Sequence, residues 1–202
     1  MKRHLLNLAG CKMNRVYLML GSNMGDRAAL LESAVEMLVE RLMPDYLEVE
    51  DLCDAVNTSD VVETEPWGFD CDDKFLNQAF MILTDKDAAQ VLGTCQEIEA
   101  ELGRDRNVPS VDDSGERVYS SRPIDIDIIF FDCDGKPQVI DTPALKVPHP
   151  LMHQRMFVLE PLSQIAKDYV HPGMKKSVGT LKKELKRALK SQEKPEKYIG
   201  ND

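Results

Sequence analysis

The chain has 202 residues, 43% of them hydrophobic, which is enough to build the core of one globular domain and excludes disorder as the main state. No run of eighteen apolar residues occurs, so the sequence predicts no helix that spans a bilayer and no membrane partner. A formal charge of -10, from 35 acidic and 25 basic residues, argues against a protein that coats nucleic acid, because a polyanion would have to bind at a local cluster of positive groups.

The cysteine pattern indicates the compartment. Five cysteines form no CxxC pair and their number is odd, which fits neither a disulfide framework nor a zinc site. We therefore expect a reduced, cytoplasmic protein. Residues 8–11 (L-A-G-C) are similar to a bacterial lipoprotein cleavage box, but the apolar stretch before them is shorter than the roughly 7 to 15 residues of an export signal. Residues 1–14 are interpreted as an N-terminal extension.

The first predicted elements are a strand, a turn and a helix. Residues 16–20 are continuously apolar and are followed by G-S-N-M-G at 21–25, which is typical of a buried strand that ends in a turn. From Asp26 to Leu42, apolar residues recur at helical spacing, and Pro44 ends the pattern. The turn lacks the Gly-Lys-Ser/Thr ending of a phosphate-binding P-loop, so any nucleotide is bound in another way.

Two strands and a second helix are predicted next. Residues 56–64 predict a strand, and residues 75–84 predict its antiparallel partner. Asp87 is expected to cap a helix that Gly103 ends. The following stretch, 104–121, is rich in Asp, Ser, Gly and Pro, and irregular segments of this length are uncommon unless they are functional or disordered.

The remaining elements continue the mixture of strands and helices. Residues 124–131 predict the clearest strand of the chain, and residues 138–141 predict a short edge strand. A short helix is expected over 157–166, opening near Pro161. Residues 178–190 predict an amphipathic helix with one basic face.

The domain organisation and fold class follow from this order of elements. No repeat and no linker divides two cores, so we predict one domain at 15–190 and a flexible C-terminal tail at 191–202. The predicted fold is α+β, with a ferredoxin-like, mostly antiparallel sheet and helices packed on it.

Two carboxylates on one strand are the sharpest chemical signal. Asp125 and Asp127 share one face of the strand while Ile126 and Ile128 share the other, which places the two acidic residues roughly 7 Å apart at their backbones. Neighbouring carboxylates need a cation, and Mg²⁺ takes one or two protein carboxylates together with phosphate oxygens and water. The alternative is a half-exposed antiparallel strand with two solvated acidic residues.

Cationic residues lie on both sides of this strand in the sequence. They are Arg104, Arg106, Arg117, Arg122, His149, His153 and Arg155. Guanidinium groups pair with phosphate oxygens in a forked geometry, and several are needed to hold a polyphosphate on a protein this acidic. Each of them, taken alone, is equally explained as a surface charge paired with a nearby acidic residue.

Six short segments carry a resemblance to a known family. They are L-G-S-N-M-G-D at 20–26, T-E-P-W-G at 64–68, F-L-N-Q-A at 75–79, E-L-G-R-D-R at 101–106, R-P-I-D-I-D-I-I at 122–129 and V-P-H-P-L-M-H-Q-R-M-F-V-L-E-P-L at 147–162. In this order they resemble the 6-hydroxymethyl-7,8-dihydropterin pyrophosphokinases, folate-pathway enzymes that move a diphosphate from ATP to a pterin alcohol. The resemblance extends from about Tyr17 to about Ala188.

The resemblance implies a role for each matched residue. Two Mg²⁺ ions would be held by Asp125 and Asp127, which with Arg104 and Arg106 are the implied catalytic residues. Implied ATP contacts are Gln96, Glu99, Arg104, Arg106, Arg122, His149 and Arg155. Implied pterin contacts are Thr64, Trp67, Phe75, Asn77 and Phe157, with the two phenylalanines on either side of the ring. The implied partners are ATP and the pterin, with other folate-pathway enzymes as further candidates.

Two alternative functions stay open at this point. The family often has a tryptophan and a glycine where this chain has Tyr119 and Ser120, and usually a basic residue where Val118 stands. A diverged protein that binds pterin or nucleotide without turnover is therefore one alternative. The other is an RNA-binding sheet whose Phe75 and Phe157 stack on bases, which the charge of -10 argues against. Core packing is the competing explanation for each phenylalanine taken alone.

Overall fold

The protein is described by a computed structural model that covers residues 13–43, 55–65, 73–105 and 121–192. Its named elements, in chain order, are β1 (Asn14–Ser22), α1 (Arg27–Leu42), β2 (Val56–Thr58), β3 (Val62–Thr64), β4 (Phe75–Thr84), α2 (Ala88–Glu101), β5 (Asp125–Cys133), β6 (Lys136–Pro137), β7 (Ile140–Asp141), β8 (Lys146–Val147), α3 (Met156–Ile165) and α4 (Val178–Gln192).

One antiparallel sheet organises the chain. Its strand order is β2-β4-β1-β5-β6, with β3 paired to the other end of β4, and β7 and β8 form a separate two-stranded ladder. The long strands β4 and β5 lie on either side of β1. The succession β1-α1-β2-β4-α2-β5 with the order β2-β4-β1-β5 is the ferredoxin-like arrangement, so the predicted fold class is confirmed.

Helices α1 and α2 cover one face of the sheet and enclose the main apolar core. Asp26 caps α1 by accepting a hydrogen bond from the Ala29 N–H at 3.2 Å. Asp87 and Gln90 form a capping box at the start of α2, which satisfies N–H groups that would otherwise lack a partner. Both predicted helices are therefore confirmed, and their apolar stripes face the sheet.

Helix α3 packs on the opposite face of the sheet, and α4 packs on α3. Residues of both helices join Tyr17, Ile129 and Phe130 in a second apolar cluster. The prediction that this helix opens near Pro161 was wrong: α3 begins at Met156, because the Arg155 carbonyl accepts the N–H groups of the first turn, and Pro161 lies inside it. Within the described residues, no helix combines the length and the apolar character needed to cross a bilayer.

Two strand predictions differ from the structure in detail. The predicted strand 56–64 is divided into β2 and β3, because the Ser59 hydroxyl accepts the Ala79 N–H at 2.9 Å in place of a continuing backbone ladder. The predicted edge strand 138–141 is shorter in the structure: only Ile140–Asp141 is a strand, and the strand at the edge of the main sheet lies just before the predicted range. Lys136–Pro137 pairs with β5, whereas Ile140–Asp141 pairs with β8.

A register shift between β1 and β5 determines which side chains of β5 lie on the face that α3 covers. Met19 lies opposite Asp127 and Tyr17 lies opposite Phe130, so β5 carries one more residue than β1 between these two pairs. Ile129 and Phe130, although adjacent in sequence, both join the second apolar cluster. A β-bulge of this kind redirects the side chains that follow it.

Candidate active site

The face of the sheet opposite α1 and α2 is open over the part of β4, β1 and β5 that α3 does not cover. Gly21 of β1 lies directly opposite Asn77 of β4 and Asp125 of β5, and Met19 lies opposite Asp127. Residues opposite each other in a sheet project to the same face. The pairing therefore brings the two predicted metal ligands and the predicted pterin-binding amide onto one surface.

Two cavities adjoin at Asp125 and Asp127. The first is lined by Met19, Gly21, Thr64, Glu65, Phe75, Asn77, Arg122, Asp125, Asp127, Arg155 and Phe157. The second is lined by Leu92, Gln96, Glu99, Arg104, Arg122, Asp125, Ile126, Asp127, Ala144, His149 and Arg155. Both share Arg122, Asp125, Asp127 and Arg155. A pair of carboxylates and a pair of arginines thus lie between an aromatic cavity and a more polar one.

Asp125 binds two arginines that are far apart in the sequence. Arg122 Nη1 donates to its Oδ2 at 3.0 Å, and Arg104 Nη1 donates to its Oδ1. Burial by itself would raise the pKa of Asp125, but the charges and hydrogen bonds of Arg122 and Arg104 outweigh it and hold the pKa below its usual range. Asp125 is therefore ionised at neutral pH, with two guanidinium groups beside its charge.

Asp127 has a different electrostatic environment. Burial in the cleft and the adjacent charge of Asp125 raise its pKa to about 7, against a smaller lowering effect of Arg155. Its side chain is 42% exposed, and it lines both cavities. The ionised form thus lacks full compensation at neutral pH, and a cation bound at this point would stabilise it.

The guanidinium of Arg104 is held in place by a buried carboxylate. Glu99 is 1% exposed, and its Oε1 accepts hydrogen bonds from Arg104 Nη1 and from the Ile126 N–H, the latter at 2.8 Å. The Arg104 N–H also donates to the Glu99 carbonyl at 2.8 Å. Glu99 thus joins the end of α2 to the start of β5 and fixes where the Arg104 guanidinium lies.

The first cavity has an aromatic and amide lining. Asn77 is buried, and its Nδ2 donates to Thr64 Oγ1 at 2.8 Å, which orients the amide. The Arg155 guanidinium carbon lies 5.6 Å from the centre of the Phe157 ring, within the range of a cation–π contact. Phe75, at the start of β4, also lines this cavity. Rings and an oriented amide are groups that bind a flat heterocycle by stacking and by hydrogen bonds.

His149 borders the carboxylates from the loop after β8. Its backbone N–H donates to the Ile129 carbonyl at 3.1 Å, which fixes the loop against β5. Its Nδ1 accepts the Leu151 N–H at 3.3 Å, while Nε2 lies 4.0 Å from Asp127 Oδ2. A neutral ring with an acceptor at Nδ1 carries its proton on Nε2, on the side of the acidic pair.

The structure brings together most of the residues predicted from the sequence and adds three more to the lining of the first cavity. Arg106 and Trp67, together with Val118, Tyr119 and Ser120, lie outside the described residues. The additional cavity residues are Met19, Gly21 and Glu65. Alternation along β1 could have indicated Met19 and Gly21, but only if the register with β4 and β5 had been known.

Asp125 and Asp127 are the carboxylates of this site that could bind a metal ion. Among the described residues, no group of three or more His, Cys, Asp and Glu side chains could hold a metal. Asp125 and Asp127 are a pair, which suits Mg²⁺, because this ion usually takes one or two carboxylates and completes its shell with phosphate oxygens and water. The raised pKa of Asp127 also indicates that this member of the pair lacks positive charge.

Comparison with known proteins gives consistent results. A family model described as 7,8-dihydro-6-hydroxymethylpterin-pyrophosphokinase (HPPK) matches residues 17–167. A 2-amino-4-hydroxy-6-hydroxymethyldihydropteridine pyrophosphokinase of Porphyromonas gingivalis is 41% identical over 157 residues, covering 78% of this chain and 93% of the relative. The enzyme of the same name from Aquifex aeolicus is 34% identical over 172 residues, covering 85% of this chain and 92% of the relative.

A solved structure has the same fold. The Plasmodium falciparum HPPK-DHPS wild type with pterin and p-hydroxybenzoate matches with a TM-score of 0.63 at 17% identity, over 92% of this chain. This chain spans 45% of that longer protein.

The ferredoxin-like sheet and the sequence relatives together show that this chain is an enzyme of the pyrophosphokinase class. More particularly, it belongs to the 7,8-dihydro-6-hydroxymethylpterin-pyrophosphokinase family, since the family match covers most of the chain and relatives reach 41% identity.

Proposed function

We propose that this chain transfers a diphosphate from ATP to the hydroxymethyl group of 6-hydroxymethyl-7,8-dihydropterin and releases AMP. The observation that carries the proposal is the meeting of two cavities at Asp125 and Asp127, with Arg122 and Arg155 lining both. A transfer between two bound molecules requires their reacting atoms to be held next to each other, and two adjoining cavities provide such a geometry.

The pterin is assigned to the first cavity. Phe75 and Phe157 would stack on the two faces of its ring, and Asn77, held by Thr64, would hydrogen-bond to its edge. Trp67 is proposed as a further pterin contact on the basis of the family resemblance. In this position the hydroxymethyl group is directed toward the two carboxylates, because Asp125 and Asp127 line the same cavity.

ATP is assigned to the second cavity. Arg104, Arg122 and Arg155 are suited to phosphate oxygens, and Gln96 and His149 are proposed as further nucleotide contacts, as is Arg106 from the resemblance. Glu99 has a supporting part in this arrangement, since it is buried beneath Arg104 and fixes that guanidinium. The arginines would offset the charge that the triphosphate brings to an acidic protein.

Asp125 and Asp127 are proposed to hold two Mg²⁺ ions together with the ATP phosphates. Mg²⁺, when bound, supplies positive charge that stabilises the developing negative charge and lowers the pKa of the pterin hydroxyl. The protein residues position the hydroxymethyl oxygen for in-line attack on the β-phosphorus, and they exclude water from the phosphates. A P–O bond forms to the pterin oxygen, the bond between the β-phosphorus and the α–β bridging oxygen breaks, AMP leaves with that oxygen, and the hydroxyl proton is released to solvent.

The test is AMP release from ATP at fixed Mg²⁺, with and without 6-hydroxymethyl-7,8-dihydropterin. We expect AMP only with the pterin, in amounts equal to the pterin diphosphate formed. Pterin binding without AMP release would instead favour a diverged binding protein. Salt-sensitive RNA binding that needs no ATP would favour the RNA-binding alternative, which no feature of the two cavities supports.

The cellular setting is a further part of the proposal. We propose one domain at 15–190 that acts in the cytoplasm, which the free thiols of Cys95 and Cys133 support. The solved HPPK-DHPS of the same fold is a longer chain with a double name, which supports a folate-pathway enzyme as a candidate partner. Co-purification of the full chain with its pathway enzymes from a cytoplasmic extract is the corresponding measurement.

A further inference from the structure

The turn that ends β1 contacts the backbone next to Arg122. Asn23 belongs to the G-S-N-M-G segment, which has no phosphate-binding ending and to which the proposed function gives no role. It is 2% exposed, although it lies in a polar turn at the edge of the site. A buried amide in such a place is expected to have specific hydrogen-bond partners.

Three hydrogen bonds connect Asn23 to the segment that carries Arg122. The Arg122 N–H donates to Asn23 Oδ1 at 2.8 Å, and the Asn23 N–H donates to the Arg122 carbonyl at 3.3 Å. Asn23 Nδ2 donates to Ser121 Oγ at 3.0 Å. Asn23 thus bonds to both the N–H and the carbonyl of one residue that lies 99 positions away in the sequence.

Arg122, whose backbone Asn23 binds, is one of the two arginines that donate hydrogen bonds to Asp125. Arg122 Nη1 lies 3.0 Å from Asp125 Oδ2, and Arg122 lines both cavities. A guanidinium on a long side chain lies in a fixed place only if its backbone is also fixed. Arg104 has a corresponding support in Glu99, which binds it through side chain and backbone.

We infer that Asn23 is a positioning residue that acts through Arg122, by fixing the backbone from which the Arg122 guanidinium reaches the phosphates of the nucleotide. Asn23 touches neither cavity itself, since it lines neither of them. The inference rests on the proposed function in so far as Arg122 contacts ATP. If Asn23 acts in this way, replacing it weakens nucleotide binding only while the Arg122 guanidinium is present.

A double-mutant cycle tests this dependence. Asn23→Ala, Arg122→Ala and the double variant are compared with the unmodified chain for the affinity of a non-hydrolysable ATP analogue with Mg²⁺, measured by calorimetry. Asn23→Ala alone should weaken binding about tenfold, and it should weaken it less than twofold once Arg122 is alanine, because residues that act through one group are not additive. Equal losses in both backgrounds, or no loss from Asn23→Ala, would overturn the inference.

Two further variants keep the test valid if the alanine variant folds poorly. Asn23→Asp keeps the acceptor for the Arg122 N–H and should retain more affinity than Asn23→Ala in the same cycle. Ser121→Ala removes only the partner of Asn23 Nδ2 and should have the smallest effect. An Asn23→Asp loss that persists unchanged in the Arg122→Ala background contradicts the inference.

Turnover separates this inference from the proposed function. If the unmodified chain releases no AMP with the pterin, the proposed function fails, while the analogue affinities still decide the role of Asn23. If the chain is active and the cycle is additive, only the inference about Asn23 fails. In an active chain, Asn23→Ala should lower kcat in the Arg122 background and leave it unchanged in the Arg122→Ala background.

Discussion

The two faces of the sheet are built from the same three strands but serve different purposes. On the face under α1 and α2, alternate residues such as Leu20, Ile126 and Ile128 are buried in a continuous apolar core. On the opposite face, α3 and α4 cover only one end, and at the other end the alternate residues are Gly21, Asp125 and Asp127, which line the cavities.

The difference shows how stability and chemistry are separated within single strands. Asp127 and Ile128 are neighbours in sequence, yet one lines two cavities and the other lies in the main core. Since strand side chains alternate, a rigid apolar layer lies directly behind the charged site and holds its backbone in place. Substitutions on the two faces should therefore affect different measured quantities.

The largest expected effect is on the open face. Asp127→Asn should lower kcat at least about 100-fold, because it removes charge that the proposed Mg²⁺ site needs for stabilising the transition state. The free energy of unfolding at pH 8 should not fall, since burial and the charge of Asp125 disfavour the ionised form of this carboxyl. AMP release and thermal unfolding measure the two quantities. Asp141→Asn, at an exposed acidic residue, is the matched control. Near-normal turnover would remove Asp127 from the site.

The next largest effect is expected on the free energy of unfolding, at the residue after Asp127, which lies on the face covered by α1 and α2. Ile128 is 4% exposed in the main core, so Ile128→Ala should lower the free energy of unfolding by about 2–5 kcal/mol, through lost burial and the cavity left behind. Denaturant titration measures the loss, and kcat of the folded protein should stay within about twofold. A large fall in kcat at full folding would show that the two faces are not separable.

A smaller effect is expected at the floor of the first cavity. A Cβ at position 21 would lie 3.3 Å from Asn77 Oδ1 and 3.9 Å from the Phe75 ring. Gly21→Ala should therefore raise the KM for the pterin about tenfold, a cost of about 1.4 kcal/mol, and leave the KM for ATP within about twofold. Gly93→Ala is the matched control, because a Cβ there meets nothing within 4 Å. An increase confined to ATP would contradict the assignment of the two cavities.

The smallest effect concerns the covered end of the second face. His171 Nδ1 accepts the N–H groups of Gly173 and Met174, each at 3.1 Å, so the neutral ring is favoured. Burial, helped by the charge of His153, lowers the pKa of His171 below its ordinary value of 6.5. The unfolded chain thus binds this proton more readily, and the stability that His171 contributes above pH 6.5 is lost as the pH falls below it.

The measurement is the thermal unfolding midpoint between pH 7.5 and 5. The midpoint of the unmodified chain should fall more steeply with acid than that of His171→Gln, which has no titrating group at this position. His153→Gln should shift the difference slightly, since His153 is the charge that faces His171. Parallel slopes for the unmodified chain and His171→Gln would show that His171 does not contribute to the acid sensitivity.

The sequence predicted local features well, because they depend on neighbouring residues. Alternation placed Asp125 and Asp127 on one side of a strand, and the cap at Asp87 and the stop at Gly103 follow from side-chain and backbone preferences. The family resemblance selected further residues that the structure brings to the two cavities. It could not show that Glu99 is buried beneath Arg104.

Features that depend on distant partners were missed. The side chain of Ser59 replaces a backbone hydrogen bond to Ala79, which lies 20 positions away, and this divided the predicted strand in two. The register of β1 with β4 and β5 brings Gly21 beside Asn77 and Asp125, and no pattern within β1 encodes that register. The start of α3 at Met156 was missed for a different, local reason, since the proline was taken as the start whereas the acceptor of the first turn is the Arg155 carbonyl.

The two arginines on Asp125 also have a consequence for chain length. Because Arg104 and Arg122 bind the same carboxylate, the ends of the chain between them are fixed independently of how many residues connect them. The entropy of closing a flexible loop grows only with the logarithm of its length, and each doubling costs about 0.6 kcal/mol. The charges around Asp125 are therefore held by these two contacts whatever the number of residues between the arginines, and changing that number costs little free energy.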